Sequence, residues 1–165
     1  MSSLSHQALN NLVPLRQKDS RSIAFIDSSI ADCEYITQKV IPKARAIIIG
    51  SEDDGVKAIS KVFKARNCLE IHVFASGFPG CIYLGNSELS ISTFSTYYFS
   101  LRNWFNRRGL INRNCLPYIY IYSYSLNIGD VGEEFVRKLK KITGAKVCTS
   151  SNILKSTILN HARDF

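Results

Sequence analysis

The chain has 165 residues, 45% of them hydrophobic and 21% charged, and carries a formal charge of +8. That length and balance fit one globular domain with a sizeable core and exclude an extensively disordered chain. No apolar run is long enough to cross a bilayer, and the start, MSSLSHQALNN, lacks the basic and apolar blocks of a secretory signal, so a cytoplasmic location is expected.

Residues 1–21 read as a polar N-terminal arm outside the core. SIAFIDSS (22–29) is a short strand ending in Asp27-Ser28-Ser29, and 31–40 reads as a helix broken at Pro42. ARAIIIGS (44–51) has the isoleucine-rich pattern of a fully buried strand. In 53–66 the helical spacing of Val56, Ile59 and Phe63 follows Asp53-Asp54, which fall at the positive N-terminal end. LEIHVFAS is a third strand, closed by the turn Ser76-Gly77-Phe78-Pro79-Gly80 and followed by a hairpin around Gly85-Asn86.

A long helix is expected over 91–107, with Ile91, Phe94, Tyr98, Leu101 and Phe105 on one stripe. PYIYIYSYS (117–125) is the strongest strand signal, alternating isoleucine with tyrosine. The next helix places Val131, Phe135, Leu139 and Ile142 on one face, sets Glu133 and Glu134 four positions before Arg137 and Lys138, and stops at Gly144. AKVCTSS (145–151) is the last strand, and 153–165 is a C-terminal tail. Strands alternating with helices predict a single α/β domain over 22–152: a three-layer α/β/α sandwich with a mainly parallel sheet.

A parallel sheet gathers its C-terminal strand ends along one edge, where chemistry is usually held. That edge is rich in serine and nearly empty of bases. His72 lies four residues before Ser76, roughly 13 Å away on an extended strand, so the two cannot form a nucleophile–base pair. His6 and His161 fall in the arm and the tail. The five cysteines form no CxxC pair, so neither a zinc site nor a disulfide framework is expected. Cys81, just past the turn, is a weak nucleophile candidate because no histidine is placed to lower its pKa. Gly129-Asp130-Val131-Gly132 lacks the lysine-serine pair of a phosphate loop, and Asp53-Asp54 reads as a helix cap. Neither cofactor nor metal is expected.

FIDSSIADCEYI, IIIGSEDDGVKAIS, EIHVFASGFPGCIYLGNSELS and YIYIYSYSLNIGDVGEEFVRKLKKITGAKVCTSSN, taken together, resemble an uncharacterised bacterial domain. That domain of unknown function is commonly found near the start of long, repeat-containing bacterial surface proteins. It looks like a distant relative of caspase-type and gingipain-type cysteine peptidases, which implies a caspase-like sheet. The resemblance assigns their histidine position to Ser76 and their cysteine position to Tyr124, while Asp27, His72, Gly77, Pro79, Gly80, Gly85, Gly132, Phe135 and Gly144 match the pattern.

With both members of the dyad missing, the leading expectation is a non-catalytic, pseudoenzyme-like module that binds another protein, as a small subunit of a larger assembly. Tyr118, Tyr120, Tyr122 and Tyr124 recur at period two, and Phe78, Tyr122, Tyr124 and Ser125 are the candidate partner contacts. One alternative is a cysteine- or serine-dependent hydrolase acting at the strand-end cleft. The other is a basic nucleic-acid-binding module, disfavoured because the basic residues are dispersed over three segments.

Overall fold

Five of the apolar runs lie side by side in one parallel sheet. They are β1 (Ser22–Asp27), β2 (Arg45–Ile49), β3 (Glu70–Phe74), β7 (Tyr118–Tyr122) and β8 (Lys146–Ser150), in the order β2-β1-β3-β7-β8. Between β3 and β7 the chain forms a small antiparallel sheet of β4 (Gly77–Phe78), β5 (Cys81–Leu84) and β6 (Ser87–Ser90). The computed structural model describes residues 22–40, 44–65, 68–105 and 116–150. The expected arm and tail, with His6, Arg66, Arg107, Arg108, Arg113, Cys115 and His161, lie outside the described residues.

Topology explains how the helices divide. The chain steps one way from β1 to β2, then the opposite way from β2 through β3 and β7 to β8. Right-handed crossovers therefore put the first connection on one face and the later ones on the other. The first connection is a short turn, α1 (Cys33–Tyr35), continued as a π-helical segment over Ile36–Val40. Ile36 packs there against Ala24, Ile26, Phe74 and Tyr122. On the opposite face α2 (Gly55–Ala65), α3 (Phe94–Arg102) and α4 (Gly129–Thr143) share the main core. Val56, Ile59, Phe63, Phe94, Leu101, Phe135 and Leu139 meet Phe25, Ile71, Val73, Ile119 and Ile121 in it. The result is an α/β sandwich with unequal layers. Phe25, Phe74 and Phe135 are among its largest fully buried side chains, each contributing about 2–3 kcal/mol of burial free energy.

Several boundaries differ from the sequence expectation, each for a visible reason. Among the described residues the run 44–51 is an edge strand rather than a fully buried one. There β2 pairs with β1 alone, which leaves Ile48 50% exposed. The helix expected from 31 begins at Cys33, because Asp32 adopts a left-handed backbone at φ 60°. The helix expected from 91 begins at Phe94: Thr93 Oγ1 accepts the Ser90 N–H and donates to the Glu88 carbonyl, which holds the preceding turn out of the helix. Its Tyr98 is exposed rather than in the core. In α4 the buried stripe runs Gly132, Phe135, Leu139, Thr143, and Val131 faces outward. Glu134 pairs with both Arg137 and Lys138. Gly144 ends this helix in the left-handed conformation, as read from the sequence.

Candidate functional site

The connection reverses direction across β1 and β3, so the crevice outside their C-terminal ends is the switch point where open α/β sheets hold ligands. Asp27 ends β1 there, 4% exposed. Its Oδ1 accepts the Ser29 N–H at 2.9 Å and the Ser29 hydroxyl at 2.5 Å, while Oδ2 accepts the Gly85 N–H at 2.6 Å. Gly85 sits at φ 61°, and a Cβ on it would lie 2.1 Å from the Asp53 carbonyl oxygen. Only glycine lets this hairpin turn reach both Asp27 and the Gly50–Asp54 loop. Across the crevice, the Ser76 hydroxyl lies 3.4 Å from that of Ser29.

The turn after Ser76 is tied to two neighbours. The Tyr83 N–H donates to the Ser76 carbonyl and the Gly80 N–H to that of Leu126, each at 2.9 Å. The Ser125 hydroxyl reaches the Gly77 carbonyl at 3.4 Å. These bonds leave Phe78 47% exposed, with its ring 5.8 Å from that of exposed Tyr83. Val131 stands against Gly80, and Ile128 precedes α4; both side chains are exposed. An apolar surface thus forms around the turn. Sequence periodicity placed Val131 inward and overlooked Tyr83 and Ile128. The alternation that buries Ile82 and Leu84 on either side of it was the available signal for Tyr83.

The other residues singled out are placed less favourably for reaction. Cys81 is buried in β5, and burial, reinforced by the carboxylate of Glu88, pushes its thiol up to about 11. At neutral pH it is a thiol rather than a nucleophilic thiolate. Tyr124 is half-buried and packs into the smaller cluster with Phe74 and Tyr122. Tyr122 offers little surface for a partner. It is 8% exposed, because its ring stacks on Phe74 at 4.3 Å between centroids and lies parallel to His72. Along this stripe Tyr118, Tyr120 and Tyr124 are all half-buried, and Tyr122 is the one that is closed off.

His72 is in mid-strand, in a chain of polar contacts that sequence reasoning did not find. Glu70 Oε1 is 2.9 Å from Nε2, and Nδ1 is 2.9 Å from the Tyr122 hydroxyl. A carboxylate only accepts, so this network assigns the proton to Nε2 and lets Nδ1 accept from Tyr122. The order carboxylate, imidazole, hydroxyl is that of a hydrolytic triad. Here, however, the hydroxyl is buried mid-sheet, and burial, with smaller effects from neighbouring anions, pushes the phenol up to about 12. The Ser123 hydroxyl, just past the end of β7, is also buried and has no hydrogen-bond partner among the described residues.

Asp27 accepts three hydrogen bonds, from the Ser29 N–H, the Ser29 hydroxyl and the Gly85 N–H, and so ties the end of β1 to the hairpin turn. Among the described residues no cluster of His, Cys, Asp and Glu is fit to hold a metal ion. Asp54 caps α2 through the Lys57 N–H at 3.0 Å, and Asp53 binds the Gly50 N–H at 2.9 Å.

A family model described as a domain of unknown function, DUF4347, matches residues 23–159, from β1 to beyond the end of β8. The chain belongs to the DUF4347 family. No curated protein matches it. The matched span includes every element just described, so the pinned turns around Asp27, Gly77 and Gly85 lie within the DUF4347 domain. No helix among the described residues is long and apolar enough to cross a membrane.

Proposed function

We propose that this DUF4347 domain is a non-catalytic, pseudoenzyme-like protein-interaction module that contacts its partner through the turn at the strand-end edge. The single observation that carries the reading is the surface around Gly80. Phe78, Tyr83, Val131 and Ile128 are apolar and exposed beside the C-terminal strand ends, the edge where open α/β sheets hold ligands. Contiguous exposed apolar surface beside an α/β ligand edge marks an interaction site. The caspase-like ancestry, the bacterial and cytoplasmic setting and a role as a small subunit belong to the same proposal and rest on the motif resemblance.

The chemistry supports it. Ser76 and Tyr124 stand at the positions that the resemblance assigns to a histidine and a cysteine, and a serine hydroxyl has no basic function near neutral pH. The hydrolase alternative would need Cys81 or a serine of the strand-end edge such as Ser29 or Ser76. Cys81 is a buried thiol, and the hydroxyls of Ser29 and Ser76 lie beside each other, with Ser29 donating to Asp27. Nucleic-acid binding is weakened by local pairing: Lys57 meets Asp54 at 3.1 Å, and Arg137 and Lys138 share Glu134.

The test is labelling of the native protein with electrophilic probes for serine and cysteine nucleophiles. The expectation is that neither Ser29, Ser76 nor Cys81 is modified faster than in a denatured control. Stoichiometric labelling of any of the three at neutral pH would refute the non-catalytic reading.

A further inference from the structure

The outer face of α3 is the unusual surface of this fold. The outward residues of α2 are charged, Lys57, Lys61 and Lys64. On α3 they include Tyr98 and Phe99, and Phe99 is 74% exposed. Such a side chain on a helix that already buries Phe94 and Leu101 gives it apolar groups on two sides.

The second apolar side does not stand on a flat surface. Phe94, Ser95, Tyr98 and Phe99 of α3 face Lys138, Lys141 and Ile142 of α4 across a groove of about 630 Å³. Its walls and floor are aromatic and aliphatic, and its charged rim is wholly basic. Lys138 has Glu134 beside it at 3.5 Å, whereas Lys141 has no acidic partner among the described residues. Ile142 lies roughly 16 Å along the helix axis from Val131, at 1.5 Å per residue. The groove is therefore separate from the strand-end turn.

We propose that the α3–α4 groove docks the apolar face of an acidic amphipathic helix from a partner protein. Three features select that occupant. A groove between two helices accepts the ridge of a third, as in helix-in-groove recognition. The apolar lining, with Phe99 as the most exposed aromatic anchor, matches the apolar stripe of such a helix. The lysines on one rim match acidic residues flanking that stripe, and opposite charge across a rim steers association and sets specificity. Walls drawn from both α3 and α4 favour a helix laid between them over a flat bilayer surface. The inference rests on the reading of this chain as a protein-binding module, but it concerns a different surface.

The test uses the full chain and two fluorescein-labelled helical peptides with the same leucine stripe, one flanked by glutamate and the other by lysine, read by fluorescence anisotropy. The glutamate peptide should bind at least about tenfold more tightly than the lysine peptide, and Phe99→Ser and Lys141→Glu should each weaken it about tenfold. Both side chains are exposed, so the variants should melt with the wild-type protein, which separates lost binding from lost folding. Phe78→Ser, at the strand-end turn, should leave the peptide affinity unchanged. Equal binding of the two peptides, binding indifferent to Phe99→Ser, or no binding at all would overturn the proposal without touching the strand-end reading. Adsorption to phosphatidylserine vesicles that is lost in Phe99→Ser, with no peptide binding, would overturn it in favour of a lipid surface.

Discussion

Asp27 lies in a buried position with three donors around its two oxygens, and that arrangement fixes what it does. It joins the end of β1 to the hairpin turn at Gly85 and to Ser29. Replacing it with asparagine keeps the shape but turns one acceptor into a donor facing an N–H or O–H. Asp27→Asn should therefore destabilise the fold by about 1–3 kcal/mol, measured by urea unfolding. Its presence in the F-I-D-S motif was legible in the sequence; its role was not. The role depends on a turn 58 residues away. The same holds for His72, whose burial among apolar neighbours was readable but whose partner Tyr122 lies on another strand.

Tyr122 and the cysteines give two further expectations at the residue scale. The Tyr122 phenol rises from its usual 10.0 to about 12 in the folded protein, chiefly through burial. Above pH 10 the unfolded chain gives up this proton first, so the folded state loses stability as pH rises towards 12. Tyr122→Phe should flatten that alkaline decline in melting temperature, although it removes the hydrogen bond to His72 at neutral pH. Among the thiols, Cys68 and Cys81 are buried and pushed up to about 11, whereas Cys148 is exposed. Alkylation at pH 7.5 followed by peptide mapping should find Cys148 modified and Cys68 and Cys81 intact.

At the scale of elements, period and punctuation carried most of the fold. The alternation of PYIYIY and the stripe of Val56, Ile59 and Phe63 appear in β7 and α2 as read. Where the reading failed, tertiary placement overrode pattern. An isoleucine run looks the same in a central and an edge strand, and only the strand order leaves Ile48 exposed. Of the stripe expected over 91–107, Phe94, Leu101 and Phe105 are in the core, whereas Tyr98 is exposed, because a helix face carries no mark of whether anything covers it. The hairpin around Gly85-Asn86 was readable from its glycine, and its docking onto the Gly50–Asp54 loop explains the need for it. A methyl group on Gly85 would strain a left-handed backbone and meet the Asp53 carbonyl oxygen. Gly85→Ala should cost about 3 kcal/mol, seen as a lower denaturation midpoint with unchanged slope.

For the whole molecule, the unequal helical layers on the two faces follow from strand order and crossover handedness, and the ligand-side edge follows from the switch point between β1 and β3. What occupies that edge could be read only in part. That His72 stands too far back along β3 to serve Ser76 was visible in the sequence. The exposed cluster of Phe78, Tyr83, Ile128 and Val131 was not, because it joins a hairpin to a helix more than 40 residues later. The account makes this cluster a protein-binding surface and the scaffold around it a rigid support.

The most direct measurement is native co-purification with the tagged chain at low and at high salt, run beside a Phe78→Ser, Val131→Ser double variant that keeps the wild-type melting temperature. The account predicts one specific protein recovered by the wild type at both salts and lost from the variant. Recovery of the isolated chain alone, or of nucleic acid that leaves as salt is raised, would contradict it.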